Sequence, residues 1–98
     1  MEKVFEIIDK TGRKIRLTKR QWQETTIKHP SMANYREEIK ETLIEPDSIT
    51  DYSLDESVRY YYKYFKHINS RNKYLLVIVK YLNGDGFVVK SYFERRIK

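Results

Sequence analysis

Hydrophobic and polar residues alternate at the start of the chain and then adopt a helical period. The segments "KVFEIID" and "RKIRL" both alternate, and the "KTG" between them predicts a hairpin that turns at Gly12. From Thr18 the sequence "TKRQ" has the form of a capping box, and Leu17 with Trp22 forms a hydrophobic staple around it. The pattern therefore predicts two strands and then a helix beginning at Thr18, with Trp22 substantially buried.

Proline residues mark the ends of two predicted helices. Pro30 ends the first helix, and Ser31 is placed to cap the second one, which Pro46 ends. Three residues of the first helix share one face: Trp22, Thr26 and His29. Apolar residues recur at helical spacing on the second helix: Met32, Tyr35, Ile39 and Leu43.

Four segments of the second half have the composition of β-strands: "DSITDYS", "VRYYYKYF", "YLLVIVKYL" and "GFVVKSYF". The third is apolar on both faces, which predicts a place in the middle of a sheet. The turn signal "NGDG" predicts a hairpin between the last two strands that pairs Leu82 with Phe87 and Lys80 with Val89. In that register Lys80 and Ser91 share a face and lie diagonally within reach of each other.

The order of these elements, ββ-αα-ββββ, predicts the α+β fold class. We expect one small domain over residues 1–98, with a mainly antiparallel four- to six-stranded sheet and two N-terminal helices packed on it. A chain of this length supports a single hydrophobic core.

The composition excludes several classes of protein. There is no cysteine, so disulfides, thiolate metal sites and a cysteine nucleophile are excluded. The longest apolar run, "YLLVIV", is far shorter than the roughly 18 residues that suggest a membrane span. The N-terminal segment lacks the apolar stretch of a signal peptide. We therefore expect a cytoplasmic protein with no membrane partner.

The charge of the chain favours a polyanionic partner. Lysine and arginine number 20 against 14 acidic residues, a formal net charge of +6, so this basic protein should be drawn to polyanions at low salt. The nine tyrosines combine rings that stack on bases with hydroxyls that form hydrogen bonds. The alternative for each tyrosine is a half-buried position in a strand, where tyrosine is also favoured.

Two predicted strands carry residues suited to an RNA backbone. In "VRYYYKYF", alternation puts Arg59, Tyr61 and Lys63 on one face, where two cations flank an aromatic ring. On the last strand, Lys90 and Tyr92 share a face. These strands therefore predict a surface that binds phosphates and stacks bases.

RNA can be cleaved without a metal ion by proton transfer and charge stabilisation alone. One group removes the proton of the 2'-hydroxyl, cations stabilise the phosphate, and an acid protonates the leaving 5'-oxygen. Residues of these types are present: His29, Arg59, Lys63, Lys80, Ser91 and Tyr92. No carboxylate pair or His/Asp cluster marks a metal site. For His29 the structural alternative is a helix-terminal histidine favoured by the helix dipole, and His67 is predicted to be merely solvated.

An ordered set of segments resembles a known nuclease superfamily. The segments are "IKHP", "YREEIKETLIEPDSI", "RYYYK", "YLLVIVKYL" and "GFVVKSYF". Together they resemble phage- and mobile-element-borne proteins of the barnase, EndoU, colicin and RelE-type superfamily, over about residues 22 to 98. The matching positions are His29 with Pro30, Thr42 with Leu43, Pro46 with Asp47, Tyr61 to Lys63, Lys80, and Ser91 with Tyr92. Here "KSY" stands in place of the family's "TAY", which leaves the role of the Ser91 hydroxyl open.

The resemblance implies a compact sheet with N-terminal helices, metal-independent RNA cleavage, and a toxin-like role held in check by a cognate antitoxin or immunity protein. The hypothesis is therefore a single RelE/barnase-like domain that acts as an endoribonuclease on RNA, with no metal or other cofactor. Its predicted catalytic residues are His29, Lys63, Lys80, Ser91 and Tyr92, and its predicted RNA-binding residues are Arg59, Tyr61 and Lys90. Two alternatives remain open: a non-catalytic nucleic-acid-binding module, and a domain that binds an acidic protein partner.

Overall fold

Two strands, two α-helices and four further strands follow one another in the computed structural model, which describes residues 2–97. The elements are β1 (Lys3–Ile8), β2 (Lys14–Thr18), α1 (Lys19–Lys28), a 3₁₀ helix (Pro30–Asn34), α2 (Arg36–Ile44), β3 (Ser48–Asp51), β4 (Val58–Tyr64), β5 (Tyr74–Leu82) and β6 (Asp85–Glu94). The predicted element order is thus confirmed, with the 3₁₀ helix added. Neither α-helix is long and apolar enough to cross a membrane.

The strands form one six-stranded sheet in the order β1-β2-β6-β5-β4-β3. Four neighbouring pairs are antiparallel, whereas β2 and β6 run parallel and pair through Ile15 with Gly86 and Arg16 with Phe87. The sheet is therefore mixed, and the prediction of a mainly antiparallel arrangement describes all but one pair. The interior position predicted for "YLLVIVKYL" is confirmed, because β5 lies between β6 and β4.

The start of α1 follows the predicted cap. The Thr18 hydroxyl accepts a hydrogen bond from the Gln21 N–H at 3.2 Å, which satisfies one of the free amides of the first turn. Trp22 is only partly buried: its ring packs against the edge of the core, and the Arg36 guanidinium lies 5.5 Å from the ring centroid. The buried position of α1 is Thr25 instead, so the helix presents a small polar residue to the sheet.

The second α-helix begins later than predicted. Pro30 starts a 3₁₀ helix in which the Met32 N–H donates to the His29 carbonyl at 2.9 Å, and α2 starts only at Arg36. Ser31 therefore does not cap α2, whose first residue follows Tyr35 without a side-chain cap. The fixed φ of proline favours a tight turn directly after the end of α1.

Both helices pack on the face of the sheet that carries the odd-numbered residues of β5. The core there joins residues of the strands to residues of the 3₁₀ helix and α2: Ile15, Leu17, Met32, Ile39, Leu43, Leu75, Val77, Val79 and Val88. The other face of β5 carries Leu76, Ile78 and Lys80. Leu76 is buried but does not belong to this core cluster, and Lys80 is exposed.

The hairpin between β5 and β6 has a different register from the predicted one. Its loop is Asn83-Gly84, both with positive φ, as the turns that join antiparallel strands require. Leu82 accordingly pairs with Asp85. A bulge follows between Ile78 and Val79, so that the partner of Ser91 is Val77: Val79 pairs with Val88, Ile78 with Lys90, and Val77 with Ser91. The predicted pairing of Lys80 with Val89 was wrong.

Candidate active site

A stacked pair of rings joins the end of α1 to β6. His29 is the C-cap residue of α1, and its N–H donates to the Thr25 carbonyl at 2.7 Å. Its imidazole lies on the Tyr92 ring with centroids 5.2 Å apart and planes inclined by 19°. The two meet because β2 gives way to α1 at Thr18, so that α1 runs beside the rest of β6. We call the pair the His29–Tyr92 ridge.

A cleft of about 360 Å³ lies on one side of this ridge, between α1 and β6. We call it the α1–β6 cleft; its volume is in the range of small-molecule sites. Its lining comes from five residues of α1 and its C-cap and four of β6: Gln21, Glu24, Thr25, Lys28, His29, Val89, Lys90, Ser91 and Tyr92. Three of the predicted site residues, His29, Ser91 and Tyr92, are therefore brought together here, with Lys90 beside them.

Ser91 lies at the bottom of this cleft. Its side chain is 1% exposed, and within residues 2–97 its hydroxyl oxygen has no hydrogen-bond partner. A buried hydroxyl without a partner costs about 1–3 kcal/mol. The cleft thus contains a polar group whose hydrogen bonding the described part of the chain leaves incomplete.

Two cations of the cleft carry no counter-charge. Lys28 and Lys90 are exposed, and neither forms an ion pair with any of the residues described. The one carboxylate of the lining, Glu24, lies 3.7 Å from the Arg20 guanidinium, which offsets its charge. The cleft is therefore positively charged, and Lys28 lies in the last turn of α1, where a cation is favoured by the helix dipole.

Lys63, unlike Lys28 and Lys90, is bound to groups at the end of α2. Its ammonium donates to the Glu45 carbonyl at 2.8 Å and lies 4.0 Å from carboxylate oxygens of Glu41 and Asp47. Lys63 pairs with Leu75, on the face covered by the helices, and does not line the α1–β6 cleft. Its position is that of a C-terminal helix cap, a structural role in which lysine is common.

Arg59 and Tyr61 also lie on the helix-covered face, away from the cleft. Arg59 forms an ion pair with Asp51 on the neighbouring strand. Tyr61 is fully buried, and its hydroxyl contacts both the Asp9 carboxylate and the Tyr81 hydroxyl. A ring with no exposed surface cannot stack on a base, so Tyr61 offers nothing to a ligand. Arg59 and Lys63 therefore border neither of the clefts that contain His29.

Lys80 and Ser91 lie on opposite faces of the sheet. Ser91 pairs with Val77 on the helix-covered face, whereas Lys80 pairs with Phe87 on the other face. Lys80 is also paired with a carboxylate, because its ammonium lies 3.8 Å from Asp55. The shared face predicted for Lys80 and Ser91 was therefore wrong, since it depended on the register of the hairpin.

Tyr92 is held in its protonated form. Burial raises the pKa of its hydroxyl, and the nearby carboxylate of Glu94 raises it further. The hydroxyl is therefore a hydrogen-bond donor at neutral pH. On the sheet, Tyr92 pairs with Leu76, on the face opposite Ser91, and its ring stacks on the imidazole of His29.

A second cleft, of about 490 Å³, lies on the other side of the ridge. We call it the loop cleft, because its far wall is the loop between β4 and β5. Besides His29 and Tyr92 its lining consists of Ser31, Met32, Tyr35, Ile68, Asn69, Ser70, Asn72 and Phe93. His29 and Tyr92 thus border both clefts. Within residues 2–97 no group of three or more His, Cys, Asp or Glu side chains is placed to hold a metal ion.

Five of the nine residues that line the α1–β6 cleft were not predicted as site residues from the sequence: Gln21, Glu24, Thr25, Lys28 and Val89. Lys28 stands directly before His29 in "IKHP", and Thr25 and Gln21 precede His29 by four and eight residues. Residues at that spacing lie on the same face of a helix, so the signal was available. The prediction chose Trp22 and Thr26 because the large ring of Trp22 suggested the buried face.

Comparison of the whole chain with known proteins identifies its family. One family model, described as phage-Barnase-EndoU-ColicinE5/D-RelE like nuclease2, matches residues 1–98. A search of curated proteins and a search of solved structures gave no match. The resemblance seen in the sequence motifs is confirmed by the family match. The chain belongs to this PBECR2 family of nucleases.

Proposed function

We propose that the protein is an endoribonuclease that cleaves RNA without a metal ion, with the α1–β6 cleft as its phosphate site. Membership of a nuclease family supports a nucleic-acid substrate. The observation that carries the proposal is the convergence of a histidine, a tyrosine hydroxyl and two unpaired lysines on one cleft: His29, Tyr92, Lys28 and Lys90.

His29 supplies the proton transfer. As a base, it accepts the proton of the 2'-hydroxyl while the 2'-oxygen bonds to phosphorus, and water protonates the 5'-oxygen as the P–O5' bond breaks. As an acid, it donates the proton to the 5'-oxygen, and water accepts the proton of the 2'-hydroxyl. The products are a 2',3'-cyclic phosphate and a 5'-hydroxyl. The ring of His29 is exposed on the cleft side, and the stacked Tyr92 ring limits the orientations that it adopts.

The lysines and the tyrosine stabilise the phosphate. Negative charge builds up on the non-bridging oxygens during the reaction, and cations placed there in advance lower the barrier. Among the residues that the structure describes, Lys28 and Lys90 have no carboxylate partner to displace, in contrast to Lys63 and Lys80. The protonated Tyr92 hydroxyl donates a hydrogen bond to the same phosphate. Lys80, on the other face, is assigned to a more distant part of the bound RNA.

The test is incubation of the purified protein with an end-labelled RNA pool in EDTA, followed by analysis of the product ends. We expect cleavage that EDTA leaves unchanged and cyclic phosphate ends. A substrate with a single 2'-deoxynucleotide at the cleaved position is the matched control and should stay intact. Cleavage of this control, or a strict requirement for added Mg²⁺, would refute the mechanism. Salt-dependent RNA binding without any product would instead indicate a binding module.

A further inference from the structure

The two clefts that meet at the His29–Tyr92 ridge differ in their chemistry. The α1–β6 cleft contains Lys28, Lys90 and Glu24, whereas no Lys, Arg, Asp or Glu side chain within residues 2–97 lines the loop cleft. Charged residues make up 35% of the chain, so a wall of ten residues without one is unusual. The loop cleft is therefore suited to an uncharged group.

The walls of the loop cleft are aromatic and its floor is apolar. Tyr35 and Phe93 meet edge to face with centroids 5.1 Å apart, and Tyr92 forms the side shared with the ridge. Met32 and Ile68, both buried, form the floor. Flat aromatic surfaces of this kind are favourable for stacking a nucleobase.

Two amide side chains are among the polar groups of this cleft. Asn69 and Asn72 lie on the loop between β4 and β5, and neither side chain has a hydrogen-bond partner within residues 2–97. Hydrogen bonds between side chains and backbone groups hold the loop. The Asn72 N–H donates to the Ser70 hydroxyl at 3.2 Å, and the Lys73 ammonium donates to the Ile68 carbonyl. The carboxamides therefore present one donor and one acceptor side each to whatever enters the cleft.

We propose that the loop cleft binds the base of the nucleotide next to the cleaved phosphate and makes cleavage base-selective. This inference rests on the proposed function, in which the phosphate lies in the α1–β6 cleft across the ridge. A nucleotide consists of a charged phosphate and a flat, neutral, hydrogen-bonding base. The charged cleft and the uncharged aromatic cleft on the two sides of His29 match these two parts.

The amides of Asn69 and Asn72 read the edge of the base. A side-chain amide forms its hydrogen bonds with the matching base, but its donor and acceptor stay unpaired when another base is bound. This difference favours the matching base in binding by about tenfold or more. Cleavage by the wild-type protein should therefore favour one base at this position. Asn72→Ala and Asn69→Ala should reduce that preference about tenfold while cleavage at the disfavoured bases changes little.

A binding experiment tests the subsite independently of catalysis. The probes are four short 2'-O-methyl RNA homopolymers, which lack the attacking hydroxyl and cannot be cleaved by the proposed mechanism. We expect the side-chain amide NMR signals of Asn69 and Asn72 to shift most with one of the four. The Asn83 amide, in the β5–β6 turn, is the internal control and should not shift.

The outcomes separate this inference from the proposed function. Selective shifts of Asn69 and Asn72 support the base subsite even if no RNA is cleaved. If RNA is cleaved but the Asn69 and Asn72 signals do not shift, the base subsite is wrong and the proposed nuclease activity still stands. A base preference that persists in Asn72→Ala would lead to the same conclusion. Equal shifts with all four homopolymers would also overturn it, because they show stacking without selection.

Discussion

The imidazole of His29 lies nearly parallel to the Tyr92 ring, with a centroid separation of 5.2 Å and an interplanar angle of 19°. One residue ends a helix and the other lies on the last strand, so the stack fixes the helix end against the sheet. It also covers one face of the imidazole and leaves the ring edge, where the nitrogens are, open to the cleft.

Replacement of His29 should abolish most of the activity. We expect His29→Ala to lower the rate of RNA cleavage about a hundredfold or more, the usual contribution of a general acid or base, with RNA affinity nearly unchanged. His67→Ala is the matched control, because His67 lies 3.1 Å from Glu38 on another part of the surface. Equal loss in both variants would count against a catalytic His29.

The ring and the hydroxyl of Tyr92 should have separable effects. Tyr92→Phe keeps the stack on His29 and removes only the donor to the phosphate, so we expect about a tenfold slower turnover from the loss of one hydrogen bond. Tyr92→Leu also removes the stack and should be slower still. Single-turnover rates of the three proteins measure this order. Identical rates for Tyr92→Phe and Tyr92→Leu would show that the stack does not position the imidazole.

The unpaired lysines of the cleft should dominate the salt dependence of RNA binding. Lys28→Ala and Lys90→Ala should each weaken binding and lower the slope of log K against log salt by about one unit. Lys63→Met should leave this slope unchanged but lower the free energy of unfolding by about 1 kcal/mol, because the Glu45 carbonyl loses its donor. Binding titrations at several salt concentrations and urea unfolding distinguish the two groups. A reduced slope for Lys63→Met would place RNA on the helix-covered face.

Ser91→Ala should stabilise the protein and weaken its function. The hydroxyl is buried without a partner in the described part of the chain, so its removal should raise the free energy of unfolding by about 1 kcal/mol. For a domain of this size that corresponds to a rise in Tm of about 4–8 °C. If a phosphate oxygen completes the hydrogen bonding of Ser91, RNA affinity should fall several-fold in the same variant. A lower Tm would mean that the hydroxyl already has a partner in the free protein.

The buried Tyr61 should make the fold sensitive to alkali. Burial, and then the hydrogen bond to the Asp9 carboxylate, raise the pKa of its hydroxyl above the ordinary value. The folded state therefore holds this proton more tightly than the unfolded state, whose tyrosines ionise near pH 10. The stability from this group is complete below about pH 10 and decreases as the pH rises further. Denaturant unfolding at pH 8 and 10.5 should show a smaller loss for Tyr61→Phe than for the wild type, with exposed Tyr64→Phe as control.

Local signals in the sequence determined most of the elements. The threonine at position 18, the glycine in the first turn and the alternation of the strands act over a few residues, and each is visible in the sequence alone. The same holds for the histidine at the end of α1, because Pro30 marks that end. The elements and the position of His29 were therefore predictable.

Contacts between distant segments were not predictable in this way. The partner of Lys63 is a carbonyl at the end of α2, and the side of the sheet that Ser91 faces depends on a bulge in β5 and β6. No short-range sequence pattern specifies which helix end a lysine contacts, or at which position a β-bulge adds a residue to one of two paired strands. The choice of cationic residues for the site was therefore the weakest part of the sequence prediction. The ion pairs of the structure show that several of these cations already have carboxylate partners elsewhere.

The place of β6 in the sheet determines how the two halves of the domain are joined. β6 lies between the N-terminal hairpin and the β3–β5 meander and connects them into one sheet. Without β6, α1 would have no strand to lie beside and His29 would have no Tyr92 to stack on. Both clefts at the His29–Tyr92 ridge therefore depend on one strand, and a change that detaches β6 from its neighbours would remove the two clefts together.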